Sequence, residues 1–179
     1  RIRPHLRAGA IVLSATKGLE LPTARRMSQV LEDELPAAFH EDICVLSGPN
    51  LAKEIVAGKA ASTVIASTNP GAAQKAQNAL MSAEYRVYTS ADVLGVELAG
   101  ALKNIVALGA GIGDGLDAGE NAKAAFITRG LAEMTRLGIA AGADPLTFAG
   151  LAGLGDVVAT CSSHNSLDRL HGVFTKRSP

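Results

Sequence analysis

ICVLSGPNLAKEI, residues 43–55, holds the pattern on which the fold turns. Ile43, Cys44, Val45 and Leu46 make a short apolar run that suits a buried strand, Gly48-Pro49-Asn50 ends it, and residues 51–57 then read as a short helix. Upstream, AIVLS at residues 10–14 has the same character and is closed by Thr16, Lys17 and Gly18. Between the two runs, Met27, Val30, Leu31 and Leu35 recur near helical spacing until Pro36 stops them. Downstream, residues 63–67 form a third run with Thr63, Val64 and Ile65, Asn69-Pro70-Gly71 opens a helix through Met81, and YRVYT at residues 85–89 is a fourth strand. Alternating strands and helices predict a doubly wound α/β, Rossmann-like parallel sheet.

After Ser90 the composition changes to helical periodicity with almost no strand candidate. Two domains are expected, residues 1–90 and residues 91–179, the second all-α. Residues 92–108 read as one long helix and residues 121–142 as another, with the glycine-rich residues 109–119 as a flexible break. Asp144 caps a third, short helix that has Pro145 in its first turn, and Gly150, Gly153 and Gly155 loosen the chain ahead of Asp156.

The 179 residues carry 17 basic and 17 acidic side chains, with 47% hydrophobic residues and 3% aromatic. A balanced charge leaves no overall footprint for nucleic acid or an anionic membrane, and the scarcity of aromatics removes base-stacking platforms. No uninterrupted apolar run reaches the ~18 residues of a membrane span. Cys44 and Cys161 have neither a CxxC nor a secreted-framework spacing, so both read as free thiols and the cytoplasm as the location. The chain begins at Arg1 just ahead of a strand and ends soon after a motif-dense segment, which reads as an excerpt.

Several motifs fail on context. Gly113-x-Gly115-x-x-Ala118 nearly matches a dinucleotide fingerprint, but a helix precedes it where a strand is needed. Gly58-Lys59 is followed by Ala60, which has no hydroxyl for magnesium. Cys161, His164, Asp168 and His171 could share a helix face, yet no second cluster completes a ligand set, and solvated polar residues are the reading preferred to a metal site. Lys17 and Gly48-Pro49-Asn50 stand out more, because each ends a strand where open α/β sheets bind their ligands. Lys103 differs in kind: Ala99, Gly100, Ala101 and Leu102 precede it, and a lysine held in apolar, cation-lined surroundings exchanges a proton near neutral pH instead of snorkelling to water.

From Lys103 outward, VELAGALKNIVALGAGIGDGLDAGENAKAAFITRGLAEMTRLG (residues 96–138) and TFAGLAGLGDVVATCSS (residues 147–163), with ATKGLE (residues 15–20) and SGPNLAKEI (residues 47–55), closely resemble the NAD(P)-dependent glycerol-3-phosphate dehydrogenases of bacteria and plastids. The resemblance implies a Rossmann-like cofactor domain and a helical substrate domain. It also implies the interconversion of dihydroxyacetone phosphate and sn-glycerol 3-phosphate with NAD or NADP, a step toward glycerophospholipids. On the matching positions, Lys103 is the catalytic proton donor and a substrate contact, supported by Asn104. Lys17 contacts substrate and cofactor, Gly48, Asn50, Asp156, Thr160 and Ser166 contact substrate, and Ala52 contacts cofactor. A homodimer is the expectation for a complete protein.

Two departures accompany the resemblance. The family's GxGxxG turn would lie upstream of Arg1, so the chain is expected to lack the first half of the cofactor domain as well as its C-terminal end, and to be inactive alone. Where the family has Ser-Arg-Asn-Arg, this chain has Ser166-Leu167-Asp168-Arg169, and leucine cannot make the bidentate contact of an arginine with phosphate. Rival readings are a lysine-dependent 6-phosphogluconate or hydroxyacid dehydrogenase and a noncatalytic helical interaction fragment.

Overall fold

A computed structural model describes residues 5–163. Its four strands are β1 (Val12–Ser14), β2 (Ile43–Ser47), β3 (Ala61–Ala66) and β4 (Tyr85–Ser90), side by side in that order. Helices α1 (Met27–Glu34), α2 (Ala52–Val56) and α3 (Pro70–Leu80) connect them, and a 3-10 turn at Ala37–Asp42 leads into β2. Asn69 accepts from the backbone N–H of Gly71 at 2.9 Å, which fixes the start of α3 where Asn69-Pro70-Gly71 marks it.

The expected all-parallel sheet is corrected in one pairing. β1 and β2 are parallel, as are β3 and β4, but β2 and β3 run antiparallel with Val45 opposite Ala66 and Ser47 opposite Val64. The cause is the connection. Residues 48–60 contain only the five-residue α2, about 7.5 Å of helix, so the chain re-enters the sheet at the end where it left. By contrast, the eleven residues of α3 run back along the sheet and allow β4 to pair parallel.

Alternation along the strands sorts side chains into two cores. Cys44 and Ile65 face Ala72, Ala73 and Ala76 of α3, whereas Val45 and Ala66 face the helices that follow β4. These are α4 (Val93–Gly115), α5 (Glu120–Ala141), α6 (Pro145–Ala149), a π-helical turn at Leu151–Gly155, and α7 (Asp156–Ser162). Two stretches, Val93–Gly115 and Pro145–Ser162, are long and apolar enough to cross a membrane by length and composition. Both instead line the core, with Val96, Ala99, Ala107, Phe148, Val157 and Cys161 buried in one cluster.

Helix α4 also corrects the expected flexible break. It continues through Gly109, Gly111 and Gly113 to Gly115, leaving residues 116–119 as the connector. Each helical glycine costs about 1 kcal/mol in propensity, and packing offsets it. A Cβ on Gly109 would overlap the Phe126 ring, and one on Gly130 would stand 2.8 Å from Val106 Cγ2. The small residues let α4 and α5 approach closely enough to bury that seam.

A buried carboxylate joins the helical layer to α1. Glu97 of α4 accepts from the backbone N–H of Ser28 at 2.7 Å, from the Ser28 hydroxyl at 2.6 Å and from Arg26 at 2.7 Å. It thereby caps a helix start 69 residues away in sequence. Glu97→Ala orphans the Ser28 N–H and Arg26 together, an expected loss of roughly 2–3 kcal/mol. Thermal unfolding should show a fall in Tm of about 4–12 °C for a chain of this size. An unchanged Tm would mean that water replaces the carboxylate without cost.

Candidate active site

The C-terminal ends of parallel strands β1 and β2 point toward α4 and α7, and four side chains meet there. Lys17, three residues past β1, donates to the Gly48 carbonyl at 3.0 Å and to Asp156 Oδ2. Lys103, on the inward face of α4, donates to Thr160 Oγ1 at 2.8 Å and lies 3.6 Å from Asp156 Oδ1. Thr160, one turn along α7, donates to the Asp156 carbonyl at 2.6 Å. Asp156 therefore stands between two ammonium groups, with one carboxylate oxygen toward each. Lys103, Asp156 and Thr160 are 6%, 2% and 4% exposed, so their charges and hydroxyl are satisfied by one another and not by water.

Local backbone chemistry sets this arrangement. The π-helical turn at Leu151–Gly155 feeds directly into α7, and a Cβ on Gly153 would overlap the backbone of Phe148, so only glycine permits the turn. That turn sets the inward phase of Asp156 and, four residues on, Thr160. Gly100 does the same for α4: a Cβ there would stand 2.8 Å from Ser47 Oγ and 3.5 Å from Lys17 Cγ. Its absence lets the helix settle onto the strand ends and brings Lys103 over them.

The other residues singled out in the sequence lie around this centre. Gly48 is buried and presents its carbonyl to Lys17. Asn104 is half-buried, and its Oδ1 has no hydrogen-bond partner among the described residues. Asn50 has both ends of its amide engaged, by Thr63 and Tyr85. Ala52, the first residue of α2, is exposed. Ser166, Leu167, Asp168 and Arg169, together with the histidines of the weighed metal cluster, His164 and His171, lie outside the described residues.

Sequence reasoning did not single out Gly100 for its packing, nor Ser47, Thr63 and Tyr85. Ser47 Oγ is buried and without a hydrogen-bond partner among the described residues. The signal for Gly100 was present, as a glycine three residues before a helical lysine; the others depend on the strand pairing. Away from the site, burial pushes the Cys44 thiol up from its ordinary value, a hydrogen bond from Ser67 opposes that, and the negative charge of Asp42 adds to it.

The family model for the N-terminus of NAD-dependent glycerol-3-phosphate dehydrogenase matches residues 1–73, and the one for its C-terminus matches residues 92–177. The chain belongs to the NAD-dependent glycerol-3-phosphate dehydrogenase family. A glycerol-3-phosphate dehydrogenase [NAD(P)+] of Dehalococcoides mccartyi is 54% identical over 180 residues, covering 97% of this chain and 50% of the relative. That of Symbiobacterium thermophilum is also 54% identical, over 98% of this chain and 51% of the relative. Among solved structures, glycerol-3-phosphate dehydrogenase from Coxiella burnetii superposes with a TM-score of 0.90 at 38% identity, covering 99% of this chain and 54% of that one. The chain thus spans about half the length of the curated relatives it matches.

Proposed function

We propose that this chain forms part of an oxidoreductase that interconverts dihydroxyacetone phosphate and sn-glycerol 3-phosphate with NAD(H) or NADP(H). The observation that carries the reading is the buried Lys103, held by Thr160 and Asp156 at the C-terminal ends of β1 and β2. In the reducing direction Lys103 Nζ gives a proton to the carbonyl oxygen that becomes the central hydroxyl, and in the oxidising direction it takes that proton back. Asp156 keeps the ammonium in place, and Thr160 directs one of its N–H bonds. Asn104 Oδ1, without a hydrogen-bond partner among the described residues, is an acceptor for a substrate hydroxyl, and Lys17 supplies positive charge for the phosphorylated substrate and the dinucleotide.

The residues present fit a nicotinamide cofactor: Lys17 brings a cation to the strand ends, and a Cβ on Gly18 would meet nothing within 4 Å, so the space beside it is open. Lys17 and Ala52 are the residues of this chain assigned to hold the cofactor, which when bound supplies or accepts the hydride. Residues 1–90 form the cofactor-facing part in this reading and residues 91–179 the substrate-facing part, supported among the described residues by strands that end at Ser90 and helices from Val93. The spacing of Cys44 and Cys161, which makes neither a CxxC pair nor a secreted framework, supports a cytoplasmic setting.

The test is the complete gene product incubated with dihydroxyacetone phosphate and each reduced nicotinamide, following loss of the reduced cofactor's absorbance. Turnover with dihydroxyacetone phosphate well above the reverse-direction rates on 6-phosphogluconate and short hydroxyacids is the expected result. A preference for either acid would replace this reading by a related lysine-dependent dehydrogenase, and no turnover on any of them would leave a binding role.

A further inference from the structure

Past β2 the chain turns through Gly48-Pro49-Asn50, and a directed series of hydrogen bonds ties that turn to β3 and β4. The Tyr85 hydroxyl donates to Asn50 Oδ1 at 3.0 Å, Asn50 Nδ2 donates to Thr63 Oγ1 at 2.9 Å, and Thr63 Oγ1 donates to the Ser47 carbonyl at 2.9 Å. The next carbonyl along the chain, that of Gly48, accepts from Lys17 at 3.0 Å. Contact reinforces the series. Thr63 is fully buried, Gly48 has φ +147°, and a Cβ on Gly48 would stand 3.1 Å from Thr63 Cα. The antiparallel pairing of β2 with β3 makes this possible, because it sets Thr63 beside Gly48 and brings the start of β4 to the same end of the sheet.

We propose that Tyr85, Asn50 and Thr63 are positioning residues for Lys17. They fix the peptide that follows Ser47, so that the Gly48 carbonyl and Asp156 together hold the Lys17 ammonium in one direction. Lysine has a flexible four-carbon stem and does not choose that direction alone. Asn50 suits the role because its amide accepts at one end and donates at the other, which a carboxylate of the same shape cannot do. The inference deepens the proposed function, since it rests on Lys17 contacting substrate and cofactor; its structural half can be tested without turnover.

The measurement is the rate of reductive methylation of each lysine in the complete gene product, read by mass spectrometry of the peptides. Lys17 is suited to it, its side chain being 21% exposed, and Lys53, Lys59 and Lys123 serve as internal references. Thr63→Val removes the hydroxyl and keeps the shape; Tyr85→Phe removes one hydroxyl at the outer end, where the position is half-buried. The expected result is Lys17 labelled about tenfold faster in Thr63→Val, the order of one charge-assisted hydrogen bond, with a smaller rise in Tyr85→Phe and the references unchanged. Thr63→Ser should return the parent rate. Lys17 labelling at the parent rate in both variants would overturn the proposal, as would an equal rise at every lysine in both, which is the mark of a network that only holds the fold. In turnover assays the same variants should raise KM more than they lower kcat. A parent inactive on dihydroxyacetone phosphate would defeat the proposed reaction and leave the labelling result standing.

Discussion

Replacing Lys103 with alanine in the complete gene product is expected to lower kcat for dihydroxyacetone phosphate reduction by ~10²–10⁴-fold, the range of a positioned general acid. The size of the effect follows from burial and from the lack of a substitute. Lys103 is 6% exposed, so bulk water cannot readily deliver the proton in its place. The nearby Lys17 is committed to the other oxygen of Asp156 and to the Gly48 carbonyl. Lys103→Arg should recover little, because a guanidinium does not give up its proton and its planar fork does not match the single hydroxyl of Thr160. The fold should survive the alanine change, since Lys17 still neutralises Asp156, and Tm measured beside kcat checks this. The cavity left by the side chain should also admit a small primary amine, so added ethylamine should restore part of the lost rate. Turnover near the parent's would overturn the proton-transfer role.

The strands and the two long helices were legible in the sequence because they rest on local signals: β-branched runs, proline stops, capping Asn69 and Asp144, and apolar spacing. The direction of β3 was not, because an apolar run reads the same in either orientation and only the short reach of α2 turns it around. The end of α4 was misread for a related reason. Glycine weakens a helix intrinsically, and the Phe126 ring that outweighs this lies on another helix. Of the site, Lys17 and Lys103 stood out by their place in the sequence and Asp156 and Thr160 through the family resemblance alone, and the carboxylate between the two ammonium groups joins residues 139 positions apart. The sequence reading gave Lys103 apolar, cation-lined surroundings; the structure sets the Asp156 carboxylate between it and Lys17. The Tyr85, Asn50 and Thr63 series was invisible for the same reason as the strand direction on which it depends.

Asp156→Ala is expected to be more damaging to the fold than Lys103→Ala, with a loss of about 3–5 kcal/mol, the usual result of removing one partner from a buried ion pair. At 2–4 °C per kcal/mol for a chain of this size, that is a fall in Tm of roughly 6–20 °C. The side chain of Lys103 is 8% exposed and that of Lys17 21%, so without the carboxylate two partly desolvated ammonium groups share one site with no anion between them. Turnover should fall with it, since Lys103 loses the group that holds it beside Thr160. Asp156→Asn separates charge from shape: the amide fits the space but cannot neutralise either lysine. If charge is the cause, adding Lys17→Met to Asp156→Asn should raise Tm above that of the Asp156→Asn variant, because it removes one of the two unneutralised cations. The coupling between the two changes should then fall within the ~0.5–3 kcal/mol expected of residues in direct contact. Stability losses that simply add would mean that Lys17 and Asp156 do not depend on each other, and that Asp156 acts through the packing of α7 instead of as the counterion between two lysines.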